Sequence, residues 1–235
     1  MRAADIDTPA LLVDLDVMER NLQRVAEYTR RHNLRLRPHT KTHKSPRIGR
    51  RQLDLGAAGL TVAKVGEAEV MLEAAPPDLL VAYPVIGRPK LDRLMAVARR
   101  TRVAVSLDSL FAAQQLSASA HAARVNIGVL AETDVGLGRV GVTPGPELAA
   151  LARAIYQLPA LTFEGIAFYP GHIKDNGAQS LEALAALGRT IEETLESLRA
   201  EGLEARIVSG GFHAFALPLP RIAGAQRNSS RHLRL

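Results

Sequence analysis

No cysteine and no tryptophan occur in these 235 residues, and aromatic side chains make up only 4%. Without cysteine there is no disulfide framework and no thiolate metal site, so the fold has to rest on a hydrophobic core. The composition allows one: 47% of residues are hydrophobic and 23% charged, ordinary for a globular protein. The length suits one large α/β barrel or two small domains. No apolar run approaches the length of a membrane span. Met1-Arg2-Ala3-Ala4-Asp5-Ile6-Asp7 has no apolar signal segment, so a cytoplasmic protein is expected. Acidic charge is also in short supply. Thirty Lys and Arg against 24 Asp and Glu give a formal charge of +6. A nucleic-acid binder can have this balance. Much of the excess, however, lies in Arg221, Arg227, Arg231 and Arg234, in a tail with no acidic residue. The body without that tail carries about +2, which an anionic small molecule explains equally well. Neither a nucleic-acid nor a membrane partner is expected.

What is present is a regular alternation. Leu11-Leu12-Val13-Asp14-Leu15-Asp16 predicts a first short strand, followed by a helix from about Asp16 to Arg31. Leu34-Arg35-Leu36 ends the next strand, and Ser45-Pro46 then opens a helix as N-cap and first helical residue. Further strands are predicted over 59–63, 78–83, 102–107, 124–130, 161–168 and 205–208. Helices are predicted between them over 65–75, 90–100, 110–122, 146–157 and 181–201. Strict alternation implies a parallel sheet. Seven strands count from the one before Lys41. A closed (β/α)8 barrel needs eight, whereas a doubly wound open sheet accepts seven.

The densest chemistry follows the Leu34–Leu36 run. Arg37-Pro38-His39-Thr40-Lys41-Thr42-His43-Lys44 packs cations and imidazoles where a strand opens into a loop. Like charges and desolvation ease the loss of a lysine's proton, and a neutral amine attacks carbonyls, so a Schiff-base lysine is one reading. A solvated basic loop or a phosphate seat is the other. Lys41 and Lys44 are three residues apart and would point to opposite sides of an extended strand end. The strand assignments gather Lys41, Tyr83, Asp108, Arg139, Tyr169, His172 and Ser209 at the C-terminal edge of the sheet, where barrels keep their active sites. Gly136-Leu137-Gly138-Arg139-Val140-Gly141 matches a dinucleotide fingerprint in letters only, because Thr143-Pro144-Gly145-Pro146 delays the helix beyond the glycines. Ser209-Gly210-Gly211 offers backbone N–H groups and a hydroxyl that suit a phosphate.

Arg37-Pro38-His39-Thr40-Lys41-Thr42-His43 resembles the lysine loop of the D-threonine aldolase and D-serine dehydratase family. The likeness begins at Asp7-Thr8-Pro9-Ala10-Leu11-Leu12-Val13-Asp14 and runs to about Gly211. It implies an α/β fold, a TIM-type barrel of alanine racemase N-terminal type, binding pyridoxal 5'-phosphate. It implies that Lys41, not Lys44, forms the covalent link to the cofactor. Arg139 would lie beside the cofactor's phenolic oxygen, Tyr169 and His172 would line its ring, and Ser209, Gly210 and Gly211 would hold its phosphate. The implied reaction is lyase chemistry on small β-hydroxy D-amino acids, in a homodimer. Retro-aldol cleavage comes first, with dehydration, racemisation or cofactor binding without turnover as alternatives. The family also implies a divalent metal ion with His and Asp or Cys ligands in a C-terminal β-domain. No His-x-Asp or His-x-Cys pair occurs here, so no metal ligand is assigned. The expected organisation is a barrel over 1–211, incomplete at its eighth strand, and an irregular basic tail over 212–235 with no strand to close the gap. Truncation or a frameshift after Gly211, with impaired activity, is the matching expectation.

Overall fold

The computed structural model describes residues 5–173 and 177–211, together with the backbone of 232–234. The first helix, α1, is Leu15–Arg31. It is followed by α2 (Pro46–Asp54), β1 (Leu60–Val62), α3 (Val65–Met71) with a 3-10 turn over Leu72–Ala74, and β2 (Asp78–Val81). Then come α4 (Arg88–Ala98), β3 (Arg102–Leu107), α5 (Leu110–Ala123), β4 (Ile127–Thr133), α6 (Pro146–Gln157), β5 (Leu161–Phe168), α7 (Ala178–Ala200) and β6 (Ile207–Gly210). A three-residue β7 (His232–Arg234) adds parallel to β6, opposite Ile207–Ser209. No helix among the described residues is long and apolar enough to cross a membrane.

The sheet order is β1-β2-β3-β4-β5-β6-β7 and every pairing is parallel. Sequential order with a helix in each main crossover is the winding of a curled barrel sheet. A doubly wound sheet reverses its order at a switch point and is excluded. The segment before Lys41 extends this sheet beyond β1. Thr61 N–H donates to the Pro38 carbonyl, Thr40 N–H to the Thr61 carbonyl, both at 2.8 Å, and His39 bridges Thr61.

Some local expectations shift. Leu11–Asp14 forms no strand, because Asp14 serves as the N-cap of α1 and accepts from the Val17 N–H at 2.9 Å. The strand expected at 124 starts at Ile127, because Arg124 adopts a left-handed conformation (φ 56°) to cap α5. The tail contributes the short β7, where no strand was expected; residues 212–231 lie outside the described ones.

Period two divides the sheet's side chains between two cores. Leu79, Val81, Val103, Val105, Leu107, Val129 and Ala131 face the helices, packing with Leu94, Leu116, Leu148, Ile155 and Ile191. Leu80, Ala104, Leu130, Ala167 and Ile207 fill the inside of the curl. Below this apolar layer, at the strands' N-terminal end, lies an ionic layer in which the buried Arg37, Asp78 and Glu164 meet the exposed Arg102. Arg37 therefore belongs to the floor and not to the cationic loop its sequence neighbours form.

Candidate active site

The next inward layer, towards the strands' C-terminal ends, is polar. Ser106 and Glu132 are buried there, and the Ser106 hydroxyl donates to Glu132 Oε2 at 2.7 Å. Burial pushes the Glu132 carboxyl above its ordinary range. The charge of Asp108 adds to this, while Ser106 and Arg139 oppose it. Neither Ser106 nor Glu132 was picked out from the sequence. The available signal was position: Glu132 follows Leu130 by two in an otherwise apolar strand, so it shares the inward face.

Above this layer the loop 134–142 carries Arg139. Gly136, Gly138 and Gly141 take positive φ (106°, 67° and 103°), which side chains adopt only with strain. The turn so formed aims the N–H groups of Gly136, Leu137 and Gly138 at Asp134 Oδ1, at 3.0–3.1 Å. The concavity is filled by the chain's own carboxylate, and α6 begins only at Pro146. The glycines thus build a loop and not a phosphate cradle. Asp108, just past β3, accepts from the Gly141 N–H at 3.1 Å and pins the loop's far end. Arg139, exposed, lays its guanidinium 4.5 Å from the centre of the Tyr169 ring. This is a stacking contact available to a planar cation.

Tyr169 follows β5 directly. A Cβ on Gly171 would collide with its ring, and one on Gly211 would come within 3.1 Å of it. The exposed His172 lies against the arginine loop, its Cε1 3.5 Å from where a Cβ on Gly136 would stand. Arg139, Tyr169, His172 and Gly211 thus come together. Ser209 and Gly210 lie in β6, beside Ala167 and Phe168. The Gly211 N–H donates to the Phe168 carbonyl at 3.2 Å, so that donor of the expected phosphate cup is engaged by the sheet. Tyr83 is exposed beyond the end of β2.

On the other side of the mouth, the lysine loop is a turn and not an extended end. Lys44 N–H donates to the Thr40 carbonyl at 2.8 Å, and Lys44 has φ 50°. Lys44 pairs through Nζ with Glu67 Oε1. Glu67, read from sequence only as an anion at a helix start, is buried and accepts from the Ala63 N–H at 2.8 Å. Burial pushes its carboxyl up, but the Lys44 and Ala63 hydrogen bonds bring it below its ordinary value. Lys41 is exposed, and its backbone N–H donates to His39 Nδ1 at 3.3 Å. Burial, then the charge of Lys41, lowers His39 to about 4. His43 is lowered as well, by burial first.

This has a measurable consequence. An unfolded chain takes up the imidazole proton near pH 6.5, whereas folded His39 takes it up near 4. The unfolded state binds more protons in between, so stability falls as the pH drops through that window. With allowance for partial exposure the loss is roughly 2 kcal/mol. Urea unfolding measured across that range should show it, and His39→Asn should flatten the slope. An unchanged slope in that variant would assign the effect elsewhere.

Residues 13–217 match the family described as alanine racemase, N-terminal domain. The chain belongs to the alanine racemase N-terminal domain family. It is 35% identical over 215 residues to 3-hydroxy-D-aspartate aldolase of Paracoccus denitrificans, covering 90% of this chain and 56% of the relative. The crystal structure of D-threonine aldolase from Filomicrobium marinum superposes with a TM-score of 0.85 at 41% identity, over 88% of this chain and 57% of that one. D-threo-3-hydroxyaspartate dehydratase from Delftia sp. HT23 superposes with a TM-score of 0.81 at 32% identity, over 98% and 60%. The chain thus spans little more than half the length of these relatives, and the barrel is the part they share.

Proposed function

We propose that this chain is the lysine-bearing barrel of a pyridoxal-phosphate lyase acting on β-hydroxy D-amino acids, cleaving the Cα–Cβ bond. The observation that carries the reading is Lys41. It is an exposed amine at the C-terminal end of the barrel sheet. The family membership and the aldolase likeness supply the substrate class.

The residues present fit the cofactor. Arg139, permanently charged and stacked on Tyr169, suits an anionic phenolic oxygen. Gly171 and Gly211 leave room beside the Tyr169 ring that a side chain would take. When bound, pyridoxal phosphate supplies an electron sink for the charge left on Cα. Lys41 would hold the cofactor through its amine and would serve as a base at the substrate. The neutral His39 beside the Lys41 backbone adds no positive charge there. Ser209 and Gly210 would face the phosphate, and Tyr169 and His172 the ring. The metal ion that the family resemblance implies finds no cluster of three or more His, Cys, Asp or Glu among the described residues.

Likeness to the dehydratase over 98% of this chain supports a second reading, elimination of the β-hydroxyl. One assay separates the two. The purified chain with pyridoxal phosphate and a divalent metal ion is given D-threonine and D-threo-3-hydroxyaspartate. Glycine with an aldehyde marks bond cleavage, whereas a 2-keto acid with ammonia marks elimination. Cleavage is the expected reaction, at the reduced rate expected of this chain. Keto acid alone would replace the first reading with the second. Racemised amino acid without either product would overturn both.

A further inference from the structure

The lysine loop presents two amines within four residues, and the fold treats them differently. Lys44 closes the turn in a left-handed conformation and is ion-paired through Nζ to Glu67. That carboxylate does not depend on Lys44 for its position. It sits in the first turn of α3, 8% exposed, with Oε2 accepting from the Ala63 N–H at the end of β1. It is therefore anchored in the junction of β1 and α3 by a contact that does not involve the lysine. Lys41 has no ion pair among the described residues. Its side chain is exposed, and its backbone N–H donates to His39 Nδ1.

We propose that Glu67 is a positioning residue that selects Lys41 over Lys44 as the reactive amine of this loop. It occupies the Lys44 ammonium, and through that contact it fixes the turn that presents Lys41. Sequence spacing alone leaves the two lysines equivalent; the distinction comes from a residue 23 positions further on. The inference rests on the lyase reading only for the identity of the carbonyl compound, because the selection is built into the protein itself.

The test therefore begins without cofactor. Trace acetylation with acetic anhydride forms an amide at each free amine, releasing acetate and one proton, and peptide mass spectrometry gives the rate at each lysine. Lys90, exposed on α4, is the internal standard. In the wild-type chain Lys41 should react at least as fast as Lys90, and Lys44 roughly fivefold more slowly. Glu67→Gln keeps the shape and an acceptor for the Ala63 N–H, and should bring Lys44 to the rate of Lys90. Circular dichroism checks that the variant is folded, and a role confined to holding α3 would leave the Lys44 rate unmoved. Wild-type Lys44 reacting like Lys90, or a folded Glu67→Gln with slow Lys44, would overturn the proposal. A second arm uses pyridoxal phosphate with borohydride: the label should fall on Lys41 alone in wild type and divide between Lys41 and Lys44 in Glu67→Gln. If acetylation follows the expected pattern but no pyridoxal label forms, the selection stands and the lyase reading fails.

Discussion

Replacing Asp78 with alanine is expected to lower the stability of the fold by about 3–5 kcal/mol. The reason lies in the ionic layer beneath the apolar inner core. Arg37 has 1% of its side chain exposed, and its Nη2 is 3.1 Å from Asp78 Oδ1. Arg102 reaches both Asp78 and Glu164, each less than a tenth exposed. Gly128 contributes the space, since a Cβ there would collide with the Glu164 carboxylate. Removing Asp78 takes a carboxylate from a buried guanidinium, and breaking a buried pair by removing one member is the costly way to break it. The expected loss is a large share of the 5–15 kcal/mol typical of a domain. Urea denaturation would show it as a lower midpoint with unchanged slope. The double change Arg37→Met with Asp78→Leu removes both charges together and should cost less than Asp78→Ala alone. If Asp78→Ala shifts stability by under about 1 kcal/mol, the layer is better solvated than its burial indicates.

The helices and strands were legible where local signals and burial agree. Pro146–Gln157 and Leu161–Phe168, expected from the strand–helix alternation, both formed with the expected bounds. Errors arose where a polar side chain overrode an apolar pattern. Leu11-Leu12-Val13 has strand composition, but the chain turns into a helix because Asp14 caps it, and Leu11 remains 94% exposed. Ile207–Gly210 pairs two residues later than expected because Ala205 and Arg206 belong to the irregular connection after α7. At the candidate site, motif reading singled out residues on loops: Lys41, Arg139, Tyr169 and His172. It did not find those whose importance comes from pairing across the sheet. Glu132 meets Ser106 from a neighbouring strand, and Glu67 meets Lys44 from a different crossover. Arg37 was misplaced for the same reason: its partner, Asp78, is 41 residues away. Periodicity shows which face a side chain occupies, but not which charge it meets there.

The two lysines of the loop should separate cofactor attachment from stability. Lys41→Ala is expected to abolish the visible, borohydride-sensitive band of bound pyridoxal phosphate, since no other amine in the loop is free of a carboxylate partner. The same change should leave stability within about 0.5 kcal/mol of wild type, because an exposed side chain without an ion pair among the described residues contributes little. Lys44→Ala should do the reverse. The band should persist, while stability falls by roughly 1 kcal/mol, because the buried Glu67 carboxylate keeps the Ala63 N–H but loses its counter-charge. The figure stays small because Lys44 is 59% exposed and its half of the pair is screened by water. Absorbance with borohydride trapping reads the first property and urea unfolding the second, on the same preparations. A band that survives Lys41→Ala and disappears in Lys44→Ala would move the nucleophile to the other lysine. It would also require Glu67 to release its partner when the cofactor arrives, which the carboxylate's anchorage to the Ala63 backbone opposes.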